Sequence, residues 1–346
     1  MTRESVSGKR IALIGGGGFI GHNLALELVR QGARVEIVDS LQVNNLLWFA
    51  SGFAPSPDRT LYLQILHERL SLLHQAGIPL HPMDARDYHA LSRALGEIQP
   101  EVVIHLAAVS HAGRSNKDPY STFDHSLRTL ENALDFSRGA GVRQFIFFSS
   151  SMVYGNFQAE EVEETHPLEP IGIYGALKVA GEKLVIAYNQ VFDLPYTIVR
   201  PSALYGPRCV SRRVTQIFIE NALGGAPLRV EGDGREKLDF TYIDDLVAGV
   251  SQAIGHPKGI NQIFNLTRGE GRSIQSLAEI LKGHFPGLRV ESTDRDRLMP
   301  VRGTLSIRKA KERIGFDPQV SLEEGCRRYV QWYQQLQEPT QTPARI

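Results

Sequence analysis

Cysteine is almost absent from this chain: only Cys209 and Cys326 occur, and their separation matches no metal-ligand spacing. Two such residues build no disulfide framework, which suits a reducing compartment rather than a secreted scaffold. Net charge is missing as well. The 38 Lys and Arg are balanced by 38 Asp and Glu, so no global field favours nucleic acid or an anionic membrane. Long apolar runs are also wanting. The opening MTRESVSGKR is polar and leads straight into a short apolar strand, and no stretch approaches the ~20 apolar residues of a membrane span. These absences predict a soluble cytoplasmic protein with no metal site and with neither nucleic acid nor membrane as partner. What is present is an ordinary globular composition, 42% hydrophobic and 22% charged over 346 residues, enough for one large domain or two smaller ones.

The first half alternates short apolar runs with amphipathic segments, the pattern of a parallel sheet wrapped by helices. Strands are expected at Arg10–Ile14, Arg34–Val38, Val102–Leu106, Gln144–Ser149 and Tyr196–Arg200. Their apolar residues run on without alternating, as in strands covered on both faces. Helices are expected at Ile20–Arg30, Ala90–Leu95, Tyr120–Gly139 and Tyr174–Val191. Segment 41–79 is long for a strand-to-strand connection. It holds an apolar patch (Leu46, Leu47, Trp48, Phe49), a turn-like FAPSPD and a helical run from Leu61 to Gln75. Its Leu periodicity predicts an extra helix packed on the core, with a lid or interaction surface as the alternative. Residues 1–200 therefore form the expected main domain. Residues 201–335 form a smaller substrate-facing region, with some elements returning to the sheet, and 336–346 a frayed tail.

The segment IALIGGGGFIGHNLALELVRQGARVEIVD carries the strongest local signal. Gly15, Gly18 and Gly21 follow a strand and open a helix in a G-x-x-G-x-x-G spacing. A side chain there would hold a pyrophosphate away from the backbone N–H groups, while the helix N-terminus favours the anion. Phe19 and Ile20, within this turn, are placed against the dinucleotide with the glycines. Asp39 ends the next strand about twenty residues on, as a dinucleotide fold requires. Its carboxylate suits ribose hydroxyls and repels a 2′-phosphate, and no Arg follows it, so the expected cofactor is NAD. The fold class is α/β, a Rossmann-type doubly wound parallel sheet with a smaller C-terminal substrate-binding region.

Tyr174 and Lys178 form Y-x-x-x-K on an expected helix, one turn apart on one face. Tyrosine, with a pKa near ~10, is a poor base at neutral pH. A neighbouring ammonium and a positive nicotinamide would lower that pKa. Ser150 lies in FFSSSMVYG at the end of a buried strand, where reactive groups collect in open parallel sheets.

Together these residues resemble the extended short-chain dehydrogenase/reductase family, in particular its nucleotide-sugar epimerase/dehydratase group and the UDP-sugar 4-epimerases. The markers, in order, are GGGGFIG, Asp39, DARD, HLAA, SSSMVYG, YGALK, RPSALYGPR, GDGREKLDFTYIDD and PVRGTLSIRKAKERIGFDP. The resemblance selects Ser150 over Ser149 and Ser151 as the catalytic serine. It sets Asp84 and Ala85 near the adenine, and makes Leu106, Ala107 and Ala108 line the dinucleotide cleft. His105, within HLAA, reads as a strand-end packing residue. Tyr174 and Lys178 also touch the cofactor, Lys178 through the nicotinamide ribose.

The implied first step is oxidation of a sugar hydroxyl, with Tyr174 as base, Ser150 hydrogen-bonding the same oxygen and Lys178 tuning Tyr174. Sugar dehydratases of this group carry an Asp–Glu pair directly after the catalytic hydroxyl residue, and uronate decarboxylases a Glu. Here the positions hold Ser151 and Met152, so the expectation is an epimerase, at C4 through a transient 4-keto sugar, acting on a nucleotide sugar (UDP-linked). The alternatives are a net NAD-dependent sugar oxidoreductase and a non-catalytic NAD-binding protein. Three family residues are replaced: the diphosphate arginine of GDG-x-x-x-R-D-F by Leu238, the Asn of R-x-F-N by Ala203, and a further Asn by Ser126. Arg235 or Lys237 could take the place of the arginine. Arg208, Arg212, Arg213 and Arg302 are other basic candidates, and Ser151, Arg208, Arg235 and Arg302 are named for the substrate. The resemblance also implies a homodimer joined through the helices near 120–139 and 174–191.

Overall fold

A computed structural model describes residues 5–51, 59–109 and 112–337. FAPSPD and the tail from residue 338 onward lie outside them. At the centre is a seven-stranded parallel sheet. Its strands in chain order are β1 (Arg10–Ile14), β2 (Arg34–Asp39), β3 (Leu80–Pro82), β4 (Val102–His105), β5 (Gln144–Phe148), β6 (Tyr196–Arg200) and β7 (Gln262–Asn265). Across the sheet they run β7-β6-β5-β4-β1-β2-β3. The chain leaves β1 in one direction for β2 and β3, then returns to β4 and continues the other way. That reversal opens a crevice at the carboxyl ends of β1 and β4, where ligands of such sheets bind.

The apolar runs are continuous because each strand serves two cores. In β1, Ile11 and Leu13 join one buried cluster and Ala12 and Ile14 the other. In β5, Ile146 and Phe148 point to the first and Phe145 and Phe147 to the second. Alternate residues face opposite sides, and each fully buried aliphatic or Phe side chain contributes roughly 1.5–3 kcal/mol.

Two elements differ from the sequence expectation. The helix over Tyr120–Gly139 is broken into Pro119–Phe123, a π-turn at Asp124–Arg128, and Thr129–Gly139. The Thr129 hydroxyl donates to the carbonyls of His125 (3.0 Å) and Ser126 (3.3 Å), competing with the helix ladder at the widened turn. Strand β3 escapes the sequence because it is three residues long and ends on a proline, which only an edge tolerates. Strand β7 is an element returning from the later region to the sheet.

Segment 41–75 supplies helices Leu46–Ala50 and Arg59–Gln75. Phe49, Tyr62, Ile65 and Leu66 form a small core with Val210, against which Trp332 and Leu336 of the C-terminal helix pack. The packed-helix expectation therefore holds. Beyond β6, short strands pair off the main sheet, Leu228–Glu231 with Val290–Thr293 and Lys237–Asp239 with Gly271–Ser273.

Candidate active site

The glycine turn sits at the carboxyl end of β1. Gly15 has φ +81°, and a Cβ on it would lie 2.6 Å from the Ala107 backbone N, so only glycine lets the β1 and β4 loops approach this closely. Gly15 N donates to Val38 O (2.8 Å), while Leu106 N and Ala107 N both donate to Ile14 O (2.8 and 3.0 Å). The resulting cleft is lined by Gly15, Gly18, Phe19, Ile20 and Gly21 from the turn, by Asp39, Asp84 and Ala85 toward the β2–β3 side, and by Leu106, Ala107 and Ala108 from β4. The residues fit a dinucleotide. Gly18 borders the cleft with nothing but its own turn within 4 Å of a built Cβ, which leaves room for phosphate beside the helix N-terminus.

Asp39 is half-buried and anchors the turn, accepting from Gly17 N (2.9 Å) and Leu41 N (2.7 Å). Burial raises its pKa, against these two hydrogen bonds. Arg86 holds Asp84 through its guanidinium at 2.6 Å.

A second cavity adjoins the first, the two sharing Ile20, Leu106, Ala108 and Arg213. Ser150, Ser151, Met152, Tyr174 and Lys178 all line it. Ser150 lies two residues beyond β5 and caps the short turn Ser151–Tyr154, its Oγ accepting from Met152 N at 3.2 Å. Ser149 also borders the cavity, but it donates its hydroxyl to Glu182 Oε1 (2.5 Å), which leaves Ser150 and Ser151 as the serines beside Tyr174.

Tyr174 and Lys178 come from the helix Gly172–Phe192. Gly175 lets that helix press on the Ser150 loop, since a Cβ there would lie 2.7 Å from Met152 O. Burial raises the Tyr174 pKa, opposed by the Arg213 charge and by a hydrogen bond from Ser150. Lys178 Nζ donates to Phe148 O at 2.6 Å and lies 5.9 Å from the Tyr174 ring centroid. Burial pushes its pKa down to about 8, against the pull of Glu182. The Arg213 charge also favours the ionised Tyr174 phenol.

His105 is neutral and structural. It is buried between Phe145 and Phe147, its Nε2 is 3.2 Å from Thr129 Oγ1, and burial lowers its pKa to about 3.

The basic candidates divide. Arg302 lines the second cavity, reaching Glu236 at 3.4 Å and Met152 Sδ at 3.8 Å, and its Nε is buried without a partner. Arg212 and Arg213 line it as well. Arg208 does not: its guanidinium donates to His22 Nε2 (3.1 Å) and Asn23 Oδ1 (3.2 Å) and pairs with Glu68 (3.3 Å). Arg235 is exposed and faces Asp233 at 3.5 Å. Lys237 is exposed on its strand while its neighbour Leu238 lines the cavity, so neither Arg235 nor Lys237 is among the cavity-lining residues. These two and Arg208 correct the sequence expectation. Sequence reasoning missed Arg229 and Glu236, which line the cavity, because single charges in a loop-rich region carry no periodic signal. It also missed Glu182, although that residue stands one turn beyond Lys178 on the face that carries Tyr174. Glu182 forms a buried ion pair with Arg200 at 2.7 Å.

Residues 11–267 match the NAD dependent epimerase/dehydratase family. The uncharacterized UDP-glucose epimerase YtcB of Bacillus subtilis is 30% identical over 333 residues, covering 94% of this chain and 98% of its own. The UDP-glucose 4-epimerase of Mycolicibacterium smegmatis is 33% identical over 250 residues, 70% of this chain and 79% of its own. Among solved structures, UDP-glucuronic acid 4-epimerase from Bacillus cereus, in complex with UDP-glucuronic acid and NAD, superposes with a TM-score of 0.82 at 26% identity, covering 94% of this chain and 99% of that one.

Proposed function

The chain belongs to the NAD dependent epimerase/dehydratase family, and from that premise we propose that it is a 4-epimerase of a nucleotide-activated sugar, with a UDP-sugar as substrate. The observation that carries this reading is the convergence of Ser150, Tyr174 and Lys178 on a cavity continuous with the dinucleotide cleft. Met152 stands where elimination or decarboxylation would need a carboxylate, and no acidic side chain replaces it in the Ser151–Tyr154 turn.

Tyr174 removes the proton of the sugar 4-hydroxyl. Ser150 hydrogen-bonds that oxygen as it becomes a carbonyl, and the Arg213 charge and the Ser150 hydrogen bond keep the phenol ionisable despite its burial. NAD, when bound, accepts the C4 hydride and returns it. Lys178 would hold the nicotinamide ribose of the bound cofactor. Tyr174 then hands the proton back after the 4-keto sugar has presented its other face. Arg302 and Arg229 grip the diphosphate in place of the arginine lost at Leu238. Residues beyond 200 form the substrate-binding region. A homodimer forms through the helices near 120–139 and 172–192, supported by the exposed Tyr120 (84%) and Phe123 (47%).

Incubation with UDP-glucose and with UDP-glucuronate, without added NAD, tests the reading. One of them is expected to reach an equilibrium mixture of its 4-epimers, resolved by chromatography. Stoichiometric accumulation of NADH on adding NAD would identify a net oxidoreductase instead.

A further inference from the structure

The inserted segment after β2 contacts the segment that follows β4, beside the cofactor crevice. In the sheet β1 lies between β2 and β4, so chains leaving β2 and β4 depart on either side of the glycine turn. The first passes Val43 and Asn44, which line the dinucleotide cleft, and enters the helix Leu46–Ala50. The second passes Leu106, Ala107 and Ala108 and reaches the helix Ala112–Lys117. The two arms meet: the Arg114 guanidinium stacks over the Trp48 ring, 3.8 Å from its centroid.

Each arm is anchored behind this contact. Asn45 is buried, donates its amide to Gly17 O in the glycine turn (3.1 Å), and caps the helix that presents Trp48 by accepting from Leu46 N (2.8 Å). Leu47 N closes the loop on Leu41 O (2.9 Å). Leu41 and Asn44 take left-handed backbone (φ 56° and 48°), a conformation costing about 1–2 kcal/mol per ordinary residue and held here by the bonds around it. Next along the helix, Phe49 packs edge-on to Tyr62 at 5.2 Å, fixing the segment to the helix Arg59–Gln75. On the other arm, Asn116 Oδ1 accepts from Ile173 N (3.1 Å), at the start of the helix that carries Tyr174.

We propose that Trp48 and Arg114 form a clasp across the dinucleotide crevice, so that NAD leaves only when their stacking opens. The clasp lengthens the residence of the bound cofactor. It touches neither Ser150 nor Tyr174, so it acts on cofactor residence and not on the chemical step. Cation–π stacking contributes about 0.5–2 kcal/mol depending on its desolvation, which sets the scale of the effect.

The test uses the intact holoprotein and two single variants, Trp48→Ala and Arg114→Ala, together with the double variant. Dissociation of NAD is followed by trapping the released cofactor with an excess of an unrelated NAD-reducing dehydrogenase and its substrate. Each single variant is expected to release NAD about tenfold faster, the equivalent of about 1.4 kcal/mol. The double variant should release it no faster than the quicker single, because one contact is being removed twice. Thermal unfolding of the cofactor-free Arg114→Ala protein should change by no more than the stacking itself contributes, about 0.5–2 kcal/mol, since Arg114 lies outside the cores. Unchanged release rates in both single variants would overturn the clasp. So would additive effects in the double variant, which would make the two residues independent. Failure to epimerise any sugar would leave these readings intact, since none of them depends on the substrate.

Discussion

Replacing Gly175 by alanine places one methyl group where two elements of the site meet. Its Cβ would lie 2.7 Å from Met152 O and 2.9 Å from the Cβ of Pro170. The shorter contact falls about 0.7 Å inside the 3.4 Å at which ordinary van der Waals contact begins. Backbone and a proline ring yield little, so the helix Gly172–Phe192 must back away from the Ser150 loop. Overpacking of this kind costs about 1–3 kcal/mol, while alanine in a helix interior gains about 1 kcal/mol over glycine. Gly283 in the helix Ile274–His284 supplies the control, because nothing lies within 4 Å of its built Cβ. Gly283→Ala should therefore raise stability by up to about 1 kcal/mol, and Gly175→Ala should fall about 1–3 kcal/mol below it. Urea titration of both variants measures the difference. The same displacement moves Tyr174 relative to Ser150, and a misplacement of about 1 Å can cost up to ~10²-fold in kcat. A Gly175→Ala protein as stable and as active as Gly283→Ala would refute the claim that this contact sets the Tyr174–Ser150 geometry.

Tyr174→Phe should lower turnover by about 10²–10⁴-fold through loss of general acid–base transfer, with the NAD content of the purified protein unchanged; retained turnover would remove Tyr174 from the mechanism. For Lys178, burial lowers the pKa from 10.5 to about 8, so between those values the unfolded chain holds a proton that the folded chain lacks. Stability of the cofactor-free protein should climb as pH rises through that window. Lys178→Met should flatten the climb, read as urea midpoints at pH 7 and pH 10. Arg200→Met leaves Glu182 buried without its 2.7 Å partner, and calorimetry or urea titration should show a loss of about 3–5 kcal/mol; a loss under about 1 kcal/mol would mean that Ser149 alone satisfies the carboxylate.

What could be read from the sequence was local. Strand β1, the glycine turn and the helix behind it occupy consecutive residues, and each carries its own signal: an apolar run, the glycine spacing, the 3.6-residue period. Tyr174 and Lys178 were legible for the same reason, being one turn apart. Arg208 was misread because its partners, His22, Asn23 and Glu68, are distant in sequence, and no pattern in RPSALYGPR says which way the guanidinium turns. Arg235 failed similarly, its exposure being set by a tertiary path that motif spacing does not encode. The break near Asp124–Arg128 was invisible because DHSLR holds neither glycine nor proline to mark it. The clasp was invisible too, since Trp48 reads as part of an apolar patch until the fold brings Arg114 over it.

Strand β7 has a mechanical consequence. Its residues Gln262, Ile263, Phe264 and Asn265 are zipped in parallel to Thr197, Ile198, Val199 and Arg200 of β6. Asn265 is also fastened sideways, its Oδ1 accepting from Tyr154 OH at 2.7 Å. A swing of the later part of the chain as a separate body would have to unzip that ladder and pull Asn265 off the segment that follows Ser150. Among the described residues, this ladder ties the later part of the chain to the main sheet. The same ladder and hydrogen bond connect the segment that follows Ser150 to the later part of the chain through the sheet itself.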